Sequence, residues 1–165
     1  PRELLDRWGD IIQDEVLKII GPYNVIMSYV SLPREVPTFK ILRKVLEDNK
    51  ILLVPKVSGE DIISVRIRSL DELSPGTFNV LEPASNIPYD TSKIEVIIVP
   101  GIAFNTKLYR IGHGKGHFDR FLKSLPDNVL KIGLAYEFQI IEEEFTDEWD
   151  EKMDIIVTEK RRLEE

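Results

Sequence analysis

The sequence predicts an α/β domain built on a largely parallel sheet. Two observations carry this. Residues 51–57 (ILLVPKV) and 94–99 (IEVIIV) are short, near-continuous apolar runs of the kind found in strands covered on both faces. Stretches with helical apolar spacing alternate with such runs along the chain, the pattern of helices laid over a parallel sheet. A length of 165 residues suits a single domain over 1–165, because one core typically serves ~100–200 residues.

Residues 3–20 carry Leu4, Leu5, Trp8, Ile11, Ile12, Val16, Ile19 and Ile20 as one apolar helical stripe, ended by Gly21-Pro22. Residues 24–30 (NVIMSYV) read as a mostly buried strand. Pro37 stands where the next helix begins, ahead of Phe39, Ile41, Leu42, Val45 and Leu46, and Asn49-Lys50 closes it. Strand 51–57 follows, then a turn at 58–61 and a half-exposed strand at 62–67 (IISVRI). Residues 69–92, rich in Ser, Pro, Asn and Asp, predict a long structured excursion. After strand 94–99 come glycines at 112, 114 and 116, a helix over about 118–125, and strands near 130–136 and 154–158.

Composition removes several function classes. There is no cysteine, which excludes a disulfide scaffold, a thiolate zinc site and a cysteine nucleophile, and fits a reducing cytoplasm. Lys plus Arg number 22 against 29 Asp plus Glu, a net charge of −7. The long-range field therefore has the wrong sign for nucleic acid or an anionic membrane, although a local basic cluster can still hold a phosphate. No apolar run approaches the ~20 residues that span a bilayer, and no signal segment opens the chain. Pro1 cannot start translation, so residues ahead of it are expected.

The segment richest in chemistry is 100–122, PGIAFNTKLYRIGHGKGHFDRFL. It follows the most apolar strand, where an open α/β sheet places its ligand crevice. Alternating glycines let backbone N–H groups approach an anion, Arg110 and Lys115 add positive charge, and a helix N-terminus follows. Each feature favours a polyphosphate. Asp119 then stands where a carboxylate could hold magnesium bridging phosphate oxygens. The spacing fits neither the dinucleotide fingerprint nor the GK[S/T] phosphate loop. The alternative is a glycine-rich turn that only reverses the chain.

His113 and His117 lie four apart, but the intervening glycines disfavour a helical metal pair, and phosphate or substrate contact by His117 fits better. Residues 142–151 (EEEFTDEWDE) hold seven carboxylates, ordinarily a solvated surface. Asp150 and Asp154 differ from the rest in approaching the strand DIIVT, which allows Asp150 a metal or substrate role. Glu35, between Pro33 and Pro37, reads first as a helix cap acting with Thr38, and otherwise as a ligand contact at the same sheet edge.

Together these segments resemble the 5-formyltetrahydrofolate cyclo-ligase (methenyltetrahydrofolate synthetase) family, over residues 25–159. RIGHGKGHFDRFL is similar to the family's Arg-x-Gly-x-Gly-x-Gly-Tyr-Tyr-Asp signature. YVSLPREVPT resembles its Glu-x-x-Thr segment, FNVLEP its Gly-x-x-Glu-Pro segment, and WDEKMDIIVTE its closing Asp-x-x-x-Asp stretch; VPGIAF precedes the signature in the family's order. The resemblance implies a three-layer α/β/α sandwich like that of the sugar-phosphate isomerase and CoA-transferase superfamily. It also implies ATP, Mg2+ and a reduced 5-formyl pterin as ligands, and the chain is expected to act as a monomer.

In the implied reaction the formyl oxygen attacks the γ-phosphate, the pterin N10 then attacks the activated carbon, and loss of phosphate closes the methenyl bridge. Arg110, Ile111, Gly112, His113, Gly114, Lys115, Gly116, His117 and Phe118 would line the ATP phosphates, with Arg110 and Lys115 assisting transfer. Residues His113 through His117 would also meet the formyl pterin, together with Val30 and Glu35. Asp119 and Asp150 would be the magnesium carboxylates. The chain departs from the family at His117-Phe118, where two tyrosines are usual, and at Asn105, where Asp is usual. The family's basic N-terminal segment has no clear match after Pro1, and neither Arg2 nor Arg7 is assigned to it. Two rival functions remain: another ATP-dependent formyl- or carboxyl-activating enzyme on this scaffold, and a non-catalytic nucleotide-binding regulatory domain.

Overall fold

A computed structural model describes residues 1–76, 79–112, 116–142 and 151–165. Its centre is a seven-stranded sheet. In chain order the strands among the described residues are β1 (Val25–Ser28), β2 (Ile51–Ser58), β3 (Asp61–Ile67), β4 (Leu73–Pro75), β5 (Leu81–Pro83), β6 (Val96–Val99), β7 (Ala103–Asn105), β8 (Arg110–Ile111), β9 (Leu130–Leu134), β10 (Ile140–Ile141), β11 (Ile155–Val157) and β12 (Arg162–Glu164). The α-helices are α1 (Arg2–Ile20), α2 (Phe39–Glu47) and α3 (His117–Ser124). The main sheet runs β12-β11-β9-β6-β1-β2-β3. Its inner strands, β11 through β2, pair in parallel, while β3 and β12 close the edges antiparallel.

Both faces of the sheet are covered, which is why its strands read as continuous apolar runs. Successive side chains point to opposite faces, so Ile26 and Met27, Leu52 and Leu53, or Ile97 and Ile98 divide between two cores. One core joins Ile26, Leu52, Val96 and Ile98 to Ile12, Val16 and Ile20 of α1 and Ile41, Leu42 and Val45 of α2. The other joins Met27, Leu53, Ile97 and Val99 to Phe121 and Leu122 of α3. The result is the expected three-layer α/β/α sandwich.

Among the parallel strands the spatial order is β2-β1-β6-β9-β11. The chain crosses from β1 through α2 to β2 on one side, then returns to place β6 on the other side of β1. This reversal makes the gap beyond the C-terminal ends of β1 and β6 a topological switch point, where open α/β sheets bind ligands.

Some expectations need correction. Ile11 is 51% exposed although it belongs to the apolar stripe of α1, because Ile12, Gln13, Val16 and Ile20 turn toward the rest of the molecule instead. The N-terminus of α2 is not capped by Glu35 or by the Thr38 side chain. Gln13 of α1, 3% exposed, supplies the cap: its Oε1 accepts from Lys40 N at 2.9 Å and Ile41 N at 3.4 Å. Thr38 donates to Tyr29 O at 2.9 Å and accepts from Ser31 N at 3.1 Å. Within the excursion at 69–92, β4 and β5 form an antiparallel pair. β7 pairs with β8 and β10 in a small second sheet, an arrangement with no periodic signature in the sequence.

Glu137 ties the loop after β9 to the turn between β11 and β12. Its carboxylate accepts from Thr158 Oγ1 at 2.9 Å and from Arg161 Nη2 at 2.8 Å. Partial burial pushes this carboxyl up, but the bonds from Arg161 and Thr158 outweigh it and hold its pKa below the ordinary value. A depressed carboxylate stabilises the fold above the unfolded value of about 4.3, and that contribution is lost as pH falls through the folded value. Thermal melts of Glu137→Gln are therefore expected to show a shallower loss of stability on acidification below about pH 4.3 than the parent. Parallel curves would remove the linkage.

Candidate active site

A cleft of about 430 Å3 opens at the switch point, within the range of small-molecule sites. Its floor is the chain leaving β1 (Tyr29, Val30) and β6 (Pro100, Gly101). One wall is the turn after β1, with Leu32, Arg34 and Glu35; the opposite wall is Pro55, Val57, Ile62, Val80 and Glu82. Arg110 and the start of α3 (Gly116, His117, Phe118) complete it.

The Glu35 wall is held by local bonds. Glu35 N donates to Leu32 O at 3.0 Å, and its Oε1 accepts from Leu32 N at 2.7 Å. Tyr29, 3% exposed beneath this turn, donates its hydroxyl to Val36 O at 2.7 Å. Burial, with the nearby Glu35 charge and Tyr136 adding to it, keeps that phenol neutral well beyond its ordinary range. Val30 and Glu35 both line the cleft.

Glu82 lies within FNVLEP, and no local pattern in the sequence points to a role for it. It is 8% exposed and lines the cleft. Its Oε2 accepts at 2.9 Å from Val57 N, a β2 amide beyond the last residue of β2 that pairs with β1. A Cβ on Gly76 would overlap this carboxylate, so glycine there makes the room. No periodicity betrays such a partnership, since it depends on where β1 stops.

The glycine-rich segment enters through β8 and leaves through α3. Gly116 is the N-cap of α3 at φ +73°, a left-handed conformation that favours glycine. A Cβ on Gly112 would overlap the Arg110 guanidinium. Arg110 and Asp119 come together here. Arg110 Nη1 lies 3.2 Å from both Asp119 oxygens and Nε donates to Pro100 O at 2.5 Å. The guanidinium also covers the Phe118 ring at 5.3 Å. Asp119 is in the first turn of α3, where the helix dipole favours a carboxylate. Gly116, His117 and Phe118 line the cleft, Ile111, Gly112 and Asp119 are not among its lining residues, and His113, Gly114, Lys115 and Asp150 lie outside the described residues.

Asn105, a departure from the family pattern, is 1% exposed. Its Oδ1 accepts from Lys107 N at 3.0 Å and Tyr109 N at 3.1 Å. These bonds need only an acceptor oxygen, so amide and carboxylate serve alike. Glu151, which the sequence did not single out, is brought back to β8 through its carbonyl, which accepts from Arg110 N at 2.9 Å. Burial raises the Glu151 carboxyl, Asp119 adds to the shift, and Lys131 and Lys123 oppose it. Asp154 accepts from Lys131 N at 2.8 Å and so serves the entrance of β9, at the end of the parallel strands opposite the cleft.

Residues 17–159 match the family model described as the 5-formyltetrahydrofolate cyclo-ligase family. The chain belongs to the 5-formyltetrahydrofolate cyclo-ligase family. As a member of this cyclo-ligase family it is an enzyme of the ligase class. It is similar to the probable 5-formyltetrahydrofolate cyclo-ligase of Caenorhabditis elegans, 31% identical over 145 residues that cover 79% of this chain and 70% of the relative. The probable cyclo-ligase of Schizosaccharomyces pombe is 29% identical over 150 residues, covering 81% and 74%. The solved 5,10-methenyltetrahydrofolate synthetase of Aquifex aeolicus superposes with a TM-score of 0.87 at 32% identity, over 99% of this chain and 84% of that one. Among the described residues of this cyclo-ligase, no helix is long and apolar enough to cross a membrane.

Proposed function

We propose that this cyclo-ligase converts 5-formyltetrahydrofolate to 5,10-methenyltetrahydrofolate at the switch-point cleft, with ATP and Mg2+, releasing ADP and phosphate. The observation that carries the reading is the meeting of two chemically different walls in one cleft. A carboxylate and apolar wall suits a donor-bearing heterocycle, and a glycine-bounded helix N-terminus suits a polyphosphate.

Glu35 accepts N–H groups of the pterin, since an ionised carboxylate offers no competing donor. Val30, Leu32 and Val57 supply the apolar sides of its slot. The segment from Ile111 to Phe118 takes the phosphates, the α3 dipole and the Lys115 ammonium stabilising their charge. The formyl oxygen, held beside the γ-phosphate, displaces ADP to form an imidate phosphate. N10 then bonds to the formyl carbon and loses its proton, and phosphate departs with the C–O bond. Holding both substrates in one cleft is the chain's main contribution, since alignment replaces a collision between separate molecules.

Among the described residues no cluster of three or more His, Cys, Asp or Glu could hold a metal. Mg2+ on a nucleotide needs only one or two carboxylates together with substrate phosphates and water. Asp119 is such a carboxylate at the phosphate end, and Asp150 is proposed as the second. Bound there, Mg2+ supplies neutralisation of phosphate charge.

Incubating the protein with 5-formyltetrahydrofolate, ATP and Mg2+ is expected to produce methenyl absorbance and ADP in equal amounts. ADP release driven by another formyl compound, with no methenyl product, would replace the reading by that of a different activating enzyme. Nucleotide binding without turnover of any acceptor would make the chain a regulatory domain.

A further inference from the structure

We propose that Arg34 is a ligand-binding residue of the cleft. Its guanidinium takes an oxyanion at the mouth, either the terminal phosphate of the nucleotide or a carboxylate of the substrate's glutamyl tail. The proposal rests on the reading of this cleft as the site of ATP and a formyl pterin, and adds a contact which that reading leaves out.

Two arginines are among the described residues that line the cleft. Arg110 stands buried at the entrance of the glycine-rich segment, bonded to Pro100 O and the Asp119 carboxylate. Arg34 stands on the turn that forms the Glu35 wall, and it is exposed. No hydrogen bond or ion pair to a described residue engages its guanidinium. Even Glu35, next to it in the chain and of opposite charge, turns an oxygen to Leu32 N instead.

The backbone beneath Arg34 is held firmly while its side chain is left free. Leu32, Pro33, Arg34 and Glu35 form a turn closed by Glu35 N, which donates to Leu32 O at 3.0 Å. Proline is at the second position, where its restricted φ is preferred. Arg2 of α1 donates to Pro33 O at 3.0 Å. At the base of the turn the backbone N–H groups of Ser31 and Thr38 each donate to the other's hydroxyl at 3.1 Å. Only the Arg34 side chain is therefore left to be ordered when a ligand binds, which keeps the entropy cost of the contact low.

Charge and exposure select the ligand group. The chain carries a net charge of −7, and the described lining of the cleft includes the carboxylates of Glu35 and Glu82. An anionic ligand thus approaches against the field. Both proposed substrates are anionic, ATP through its phosphates and 5-formyltetrahydrofolate through the carboxylates of its tail. A cation at the mouth offsets that repulsion. An exposed guanidinium exchanges water for a neutral acceptor with little gain, whereas an oxyanion accepts two parallel N–H bonds and adds its charge.

The test measures binding by isothermal titration calorimetry at low and high salt. Its probes are ATP with Mg2+, 5-formyltetrahydrofolate, and 5-formyl-6-methyltetrahydropterin, which keeps the ring and formyl group but has no carboxylate. Arg34→Ala is expected to weaken one or both anionic probes about three- to ten-fold at low salt. The loss should shrink at high salt, and the tail-less pterin should bind as before. Loss for ATP assigns the contact to phosphate, and loss for 5-formyltetrahydrofolate assigns it to the tail. Arg34→Lys should keep part of the affinity, having the charge without the fork, and Arg34→Glu should lose more than alanine does. Arg43→Ala, which removes an exposed cation of α2 outside the cleft lining, is expected to bind like the parent. Unchanged affinity of Arg34→Ala for both anionic probes overturns the proposal. An equal loss for the tail-less pterin, or an equal loss in Arg43→Ala, overturns it as well. Circular dichroism reports folding; should Arg34→Ala fail to fold, Arg34→Lys against Arg34→Glu decides. A parent protein that binds none of the probes would refute the proposed function, and this proposal with it.

Discussion

Lys115→Ala is expected to lower kcat about a hundred-fold, in line with the loss of one charge-stabilising donor, and to leave the KM for the formyl pterin much less affected. Lys115 is flanked by Gly114 and Gly116, and Gly116 lines the cleft at the N-cap of α3. As charge spreads over the transferring oxygens, an ammonium there binds the transition state more tightly than the ground state, so its removal is read in kcat. Lys115→Arg should restore only part of the rate, since a planar fork is a poor replacement for a compact ammonium at close quarters. Steady-state methenyl formation measures both variants. An alanine variant with the parent's kcat would make Lys115 a solvated turn residue.

Phe104→Ala is expected to give a large stability loss, about 3–5 kcal/mol. Phe104 is fully buried. Its ring is wedged between Gly101, where an added Cβ would come within 2.9 Å of it, and Gly133, where one would come within 2.7 Å. Deleting the ring leaves a cavity between β9 and the chain after β6, and glycine on both sides offers no side chain to refill it. For a chain of this length the loss corresponds to a melting temperature lower by roughly 10 °C. Gly133→Ala probes the same contact from the other side, with overpacking expected to cost about 1–3 kcal/mol. A melting temperature unchanged in Phe104→Ala would show that the site collapses onto the space.

The strands at 51–57 and 94–99, the helices α1, α2 and α3, and the family are all legible in the linear pattern of residues. These are encoded by local spacing, or by motifs such as RIGHGKGHFDRFL that stay together whatever the rest of the chain does. The same pattern also marks Val30, Glu35, Arg110 and Phe118, all found around one cleft. Which groups these side chains meet is fixed by how the layers pack. Gln13 caps a helix that begins 26 residues further on, a bond that exists because α1 and α2 share one face of the sheet. Glu82 meets a β2 amide past the end of the β1 pairing. Arg110 and Asp119, read separately as a phosphate ligand and a metal ligand, form a buried ion pair. Local pattern specifies what each segment is, because periodicity and turn chemistry act over a few residues. Partners of buried polar groups depend on where other strands stop and which helices are neighbours, and burial compels those groups to pair once the layers close.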